Sequence, residues 1–153
     1  MLVVVLLGLI GAPAATASPE ARMLTKINAT RADNGLSPLR SARNLQRSAG
    51  AFARWLVKHD QFQHRPRVSV TRSYRHCGEA LAMHFSLAAN VGGTLRHWMS
   101  SPSHRGLVMT SSMNLVGLGH ATRRTSSAGH DITEVPTCTS VNRTAGVAAT
   151  GID

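Results

Sequence analysis

The sequence predicts an α+β domain with helices packed on a small antiparallel sheet. Three observations carry this: two capped, helically patterned segments come first, a tryptophan-bearing helix pair follows, and a glycine-spaced alternating run comes late with a second extended segment behind it. A chain of 153 residues with 42% apolar content is long enough for one domain with a real core and short for two. Aromatics make up only 4%, so Trp55, Trp98, Phe52, Phe62 and Phe85 are expected as the few large pieces of that core.

Ser18-Pro19-Glu20 supplies an N-cap, a proline at the first helical position and an acid in the first turn. Met23, Leu24, Ile27 and Thr30 continue at helical spacing, and Asn34-Gly35 is the stop signal. Ser37-Pro38 leads to a second helix over about 41 to 60, capped at Ser41, with Leu45, Ala49, Phe52 and Leu56 along one face. Periodicity lapses from Gln61 to Arg75, a loop with a short extended piece at Val68-Ser69-Val70. Cys77 to Ala82 reads as a strand. A third helix carries Val91, Leu95, Trp98 and Met99, weakened by Gly92-Gly93. It stops by Ser101, because the residue before Pro102 is biased out of the helical region. Ser101-Pro102 starts a short helix with His104, Arg105 and Val108. In Asn114 to Ala121, glycines at 117 and 119 lie on one side of an alternating strand, which suggests close approach of another element. His130 to Cys138 is its antiparallel partner, placed at an edge or ended by Pro136. The tail from Thr139 to Asp153 has no periodicity and is expected to be disordered.

The start of the chain, MLVVVLLGLIGAPAATA, is an apolar run followed by small residues, and Ala15-Thr16-Ala17 matches a signal-peptidase site. Residues 1–17 are therefore expected to be a signal peptide removed on export, although no Lys or Arg precedes the run. At nine residues, Leu2 to Ile10 is short of the ~20 that span a bilayer, so no lasting transmembrane anchor is expected. Cys77 and Cys138 are the two cysteines, and export would let them pair; two buried free thiols are the alternative. The net charge of +10 draws the protein to anionic envelope components or acidic lipids, unless it is simply a solvated surface. The charges are scattered and not interleaved with aromatics, which argues against specific nucleic-acid binding.

Four motifs occur in order: Phe62-Gln-His64, Cys77-Gly-Glu79-Ala-Leu-Ala82, Trp98-Met-Ser-Ser-Pro-Ser-His104-Arg105 and Val116-Gly-Leu-Gly119. Together they resemble the CAP superfamily of cysteine-rich secretory proteins, antigen 5 and pathogenesis-related proteins, in its compact bacterial form, over about residues 20 to 138. The resemblance implies a three-layer α-β-α sandwich and a central cleft lined by two histidines and two glutamates able to hold a divalent metal. By the same resemblance the first histidine is His64, the first glutamate Glu79 and the second histidine His104. Ser101 stands in place of the second glutamate, Ala80 in place of an asparagine after the first, and Leu107 in place of the asparagine of the bacterial His-Arg-x-Asn pattern.

Zinc or another divalent cation takes two imidazoles and one carboxylate with a fourth position open, so His64, Glu79 and His104 would suffice if the fold assembles them. That leaves no general base in the motifs; Glu134, Asp60 and Asp131 are unplaced acids. In a second version Glu79 is the catalytic base and the two histidines hold the metal. In a third, His104 only hydrogen-bonds at a helix start, with Ser101 beside it, and Arg105 pairs with an acid such as Glu79. His59, His76, His84, His97, His120 and His130 read as surface or strand residues. The expected protein is a secreted, monomeric binding module for a lipid, an envelope polymer or a partner protein; the alternative is a metal-assisted hydrolase or peptidase. A third reading is a protein that acts on anionic surfaces by charge alone.

Overall fold

A computed structural model describes residues 16–66, 74–124 and 129–140; for 75, 124 and 129–140 it describes the backbone only. The expected leader up to residue 15, the extended piece at Val68 to Val70 and the expected tail beyond residue 140 lie outside the described residues; Thr139 and Ser140, the first two residues of that tail, belong instead to the last strand. The elements run α1 (Pro19–Ala32), β1 (Arg40–Ser41), α2 (Arg43–His59), β2 (Tyr74–His84), α3 (Val91–Ser100), α4 (Pro102–Met109), β3 (Leu115–Val116), β4 (Gly119–Arg124) and β5 (Gly129–Ser140). β5 is central: it pairs antiparallel with β2 on one side and with β3 and β4 on the other, and β1 adds in parallel to β3.

Side chains alternate across β2, and the two faces meet different helices. Ala80 and Ala82 join Met23, Ile27, Trp98 and Val108 in a core shared with α1, α3 and α4. Leu81 joins Leu56 and Val57 of α2, with Phe52 and Met83 against them. Helices therefore cover both faces of a mainly antiparallel sheet, as expected. The glycine spacing is explained directly: a Cβ on Gly117 would run into the backbone of Leu45, and one on Gly119 into the backbone of Ala49. One turn of α2 rests on two alternate glycines, one in the gap between β3 and β4 and one at the start of β4. That contact seats the helix on the sheet.

Local signals place most helix ends. Ser18 accepts from the Ala21 amide, with Pro19 opening α1. Gly35 has φ 68°, and the Leu36 amide returns to the Arg31 carbonyl. Asn90 caps α3 through the Gly93 amide. A side chain at Gly93 would collide with that cap. Ser101, with φ −96° and ψ 121°, ends α3 and begins α4.

Three expectations are corrected. Ser41 does not cap α2: it is drawn into the parallel pairing opposite Val116, so the helix starts at Arg43 with Ala42 before it. Pro136 does not mark an edge. The register from Val116↔Thr137 to Gly119↔Glu134 puts it opposite Gly117, in the gap between β3 and β4, where no bond to its nitrogen is required. Across that gap the Gln46 side chain takes over, donating to the Leu118 carbonyl and accepting from the Leu118 amide at 3.0 Å. The aromatic core shrinks to Trp98, which is fully buried with its indole N–H on the Leu81 carbonyl at 3.2 Å. Trp55, Phe62 and Phe85 are 40%, 49% and 76% exposed, and Phe52 is half-buried.

Arg31 fills interior space next to Met23 and Ile27 with no exposed surface. Its guanidinium donates to the carbonyls of Ser37 (2.8 Å), Val108 (2.6 Å), Thr110 (3.2 Å) and Met113 (3.2 Å). Burial pulls its pKa down, yet a guanidinium stays protonated in any protein interior. Replacing it with leucine leaves these carbonyls without their donor. Arg31→Leu is expected to cost roughly 3–5 kcal/mol in urea denaturation, several times the effect of Arg22→Leu on the exposed face of the same helix.

Candidate functional site

β2 is the outer strand of the sheet, and the segments on either side of it close over its end to form a cleft of about 460 Å³. Leu81, Ala82 and Met83 form its floor, and Phe62, His64, His84, His97 and His104 its walls. His64 arrives from the chain that leaves α2, after the turn at Asp60 with φ 55°. His104 arrives from α4. The Ser-Pro break supplies its angle: with Ser101 extended, the first turn of α4 swings His104 back toward β2.

Glu79, almost wholly buried, lies behind His64. His64 Nδ1 donates to its Oε1 at 2.9 Å, the Arg65 amide reaches the same oxygen at 3.2 Å, and Arg65 Nε reaches Oε2 at 2.8 Å. Burial alone would raise the Glu79 pKa, but the hydrogen bonds from Arg65 and His64 and the Arg65 charge outweigh it and hold the carboxyl below its ordinary 4.5. Arg65 is fixed in turn by Ser48 Oγ at 2.8 Å and lies 4.5 Å over the Phe52 ring. The partner of Glu79 is therefore Arg65; Arg105 is exposed on α4.

His104 Nδ1 and Ser101 Oγ lie 3.0 Å apart, so the serine that ends α3 orients the imidazole instead of capping α4. Its ring faces that of His97 at 6.4 Å. Desolvation, then the charges of His64 and His97, hold its pKa below the ordinary 6.5. Among the described residues no three His, Cys, Asp or Glu side chains are grouped so as to hold a metal ion. The structure brings His64 onto Glu79 and turns His104 toward the same space. In both histidines Nδ1 is engaged and Nε2 is the nitrogen left for a ligand, the arrangement in which a polar group behind an imidazole fixes its tautomer.

Cys77 and Cys138 occupy directly opposed positions in the β2–β5 ladder. Asp60 sits exposed at the end of α2, away from the cleft lining, and Asp131 and Glu134 take register positions opposite His84 and Leu81.

The family model for CAP, the cysteine-rich secretory protein family, matches residues 24–139. The chain belongs to the CAP family. CAP-type folds recur among solved structures: an outer surface protein from Borrelia burgdorferi superimposes with a TM-score of 0.67 at 18% identity, over 86% of this chain and 100% of that one. An extracellular SCP-domain protein from Bacillus anthracis gives 0.64 at 15% identity, over 79% of this chain and 40% of that one. Venom allergen-like protein 4 from Schistosoma mansoni gives 0.60 at 11%, over 81% and 91%. At these identities the likeness is one of fold. No curated protein sequence matches the chain.

Within this CAP fold, sequence reasoning missed Arg65, His84 and His97. Arg65 was one of many arginines in a stretch without periodicity, and no local signal marks it as the partner of Glu79. His97 had a usable signal, because it precedes Trp98 and lies one turn before Ser101 on α3. His84 ends β2 with Nε2 and the buried Thr94 hydroxyl 2.8 Å apart.

Both shifted groups of the cleft make acid destabilising. His104 is depressed, so the native state binds fewer protons than the unfolded chain; its contribution is present well above pH 6.5 and is lost as pH falls below that value. Glu79 is also depressed, so its contribution is present above 4.5 and is lost as pH falls through its lower native value. Melting temperature followed by circular dichroism is expected to fall in two stages on acidification. His104→Gln should remove the first stage, and Arg65→Ala should shrink the second.

Proposed function

We propose that this CAP domain is an extracellular binding module whose cleft holds a divalent cation, such as zinc, between the Nε2 atoms of His64 and His104 and presents it to a ligand. The observation that carries this reading is the support behind both imidazoles: Glu79 with Arg65 behind the first, Ser101 behind the second. Neutral imidazole is the metal-binding form, and the depressed pKa of His104 favours it. Glu79 joins the cation directly only if Arg65 releases it. A bound cation would supply a Lewis-acidic centre open to a donor atom of the ligand.

The hydrolase alternative has less support. A general base works best with a pKa near the operating pH, and Glu79 is held well below that by Arg65 and His64. No helix of the described residues is long and apolar enough to cross a membrane. Two of the structural neighbours are named as an outer surface protein and an extracellular protein. Together with the signal-like start, these two names support export.

Export also supports a Cys77–Cys138 bridge. Directly opposed residues of an antiparallel pair have Cα atoms about 4.5–5.5 Å apart, inside the range a disulfide needs. In the chain-entropy model, closing a loop of that length contributes about 4 kcal/mol.

Two measurements test the proposal. Calorimetry on the exported protein should show one zinc bound, lost in both His64→Ala and His104→Ala, with no turnover of a mixed peptide and ester library. Absence of stoichiometric zinc would end the metal reading, and turnover abolished by Glu79→Gln would transfer the case to a hydrolase. Thiol titration in denaturant should find no free thiol before reduction and two after, and reduction should lower the melting temperature; two free thiols at the outset would remove the bridge.

A further inference from the structure

Helix α2 is asymmetric in a way that the fold alone does not require. Leu45, Ala49, Ala53 and Leu56 have no exposed surface and face the sheet. On the far side Arg43, Arg47, Arg54 and Lys58 are all exposed. At about 100° per residue these four cations fall within an arc of about 60°, opposite the buried face, and extend along about 22 Å of helix. No acidic residue occurs from Arg43 to His59. None of the four has an ion-pair partner among the described residues.

Trp55 lies beside this stripe, about 60° beyond Lys58 on the same wheel. Although 40% exposed, it is held flat: its ring stacks on Phe52 at 5.7 Å and 9° and on His59 at 4.6 Å. Arg65 packs over the other end of the same stack, 4.5 Å from the Phe52 ring. The side chain is therefore a fixed aromatic plate beside a row of unpaired cations.

We propose that the outer face of α2 docks on an anionic lipid bilayer, with Arg43, Arg47, Arg54 and Lys58 on the headgroup phosphates and Trp55 at the headgroup–acyl boundary. The stripe lies along the outside of a helix seated on the sheet, so it offers a ridge to a plane. Charge complementarity selects an anionic surface. The exposed indole selects a bilayer over a soluble phosphate polymer, because tryptophan gains at the interface between headgroups and acyl chains. This face is separate from the histidine cleft, and its use does not depend on a metal there.

The chain has two tryptophans, and Trp98 is sealed in the core, so Trp55 emission reports on this face. The exported, processed protein would be mixed with phosphatidylglycerol–phosphatidylcholine vesicles, with phosphatidylcholine vesicles and with sodium polyphosphate. Two variants carry the same charge loss: Arg43→Gln with Arg47→Gln and Arg54→Gln on α2, and Lys26→Gln with Arg40→Gln and Arg96→Gln on other exposed surfaces. Circular dichroism melts would establish that both are folded. The expected result is salt-sensitive sedimentation with the anionic vesicles only and a blue shift of Trp55 emission. At about fivefold per cation, partitioning should fall about a hundredfold in the α2 variant and far less in the other. Equal loss in the two variants would assign the attraction to diffuse charge. Binding without an emission shift would remove Trp55 from the contact, and tight polyphosphate binding without vesicle binding would assign the face to a polymer; each of these outcomes overturns the proposal.

Discussion

Much of this structure depends on one buried cation. Arg31 sends its donors into carbonyls of the loop after α1, the end of α4 and the turn before β3. The carbonyls of Val108 and Thr110 lie where the α4 dipole is negative, so a positive charge there is favourable as well as hydrogen-bonded. A neutral side chain could fill the volume but could not join three chain segments at one point. By holding the end of α4, Arg31 also sets the position of its first turn, from which His104 faces the cleft.

The second constraint is the seat of α2 on Gly117 and Gly119. It brings the helix axis close to the sheet, lets Gln46 repair the ladder at Leu118 and delivers the chain after Asp60 to the edge of β2. From the other face, Trp98 covers that same edge by donating to the Leu81 carbonyl. The cleft is where these two arrivals meet, so its two principal histidines come from opposite layers of the sandwich. Their supports differ accordingly: a carboxylate and a guanidinium behind His64, a single hydroxyl behind His104.

The helix ends at Ser18, Asn34-Gly35 and Ser101-Pro102 were legible because capping and proline chemistry act within a few residues. The spacing of Gly117 and Gly119 announced a close approach, though not which element made it. Motif order placed His64, Glu79 and His104 in one family pattern. Misreadings arose wherever a distant group competed with a local preference. Ser41 has a good capping side chain, but pairing with β3 takes its backbone first. Pro136 has edge-strand chemistry, but an interruption in the neighbouring strand accommodates it at the centre of the sheet. Aromatic size suggested a core of five rings, yet three are substantially exposed because alanines and aliphatic side chains fill the layers.

By itself the sequence determined the class of fold, the order and most boundaries of the helices, and the family pattern of the cleft, because these rest on short-range periodicity, caps and motif spacing. Only the tertiary structure decided that Glu79 is tied to Arg65, that His97 faces His104, that Arg31 is interior and that the cations of α2 stand unpaired on its outer side. Each of those facts depends on groups from separate elements reaching the same few ångströms, or failing to. A hydrogen bond or a charge pair is a property of two positions in space, and a linear pattern fixes only one of them at a time.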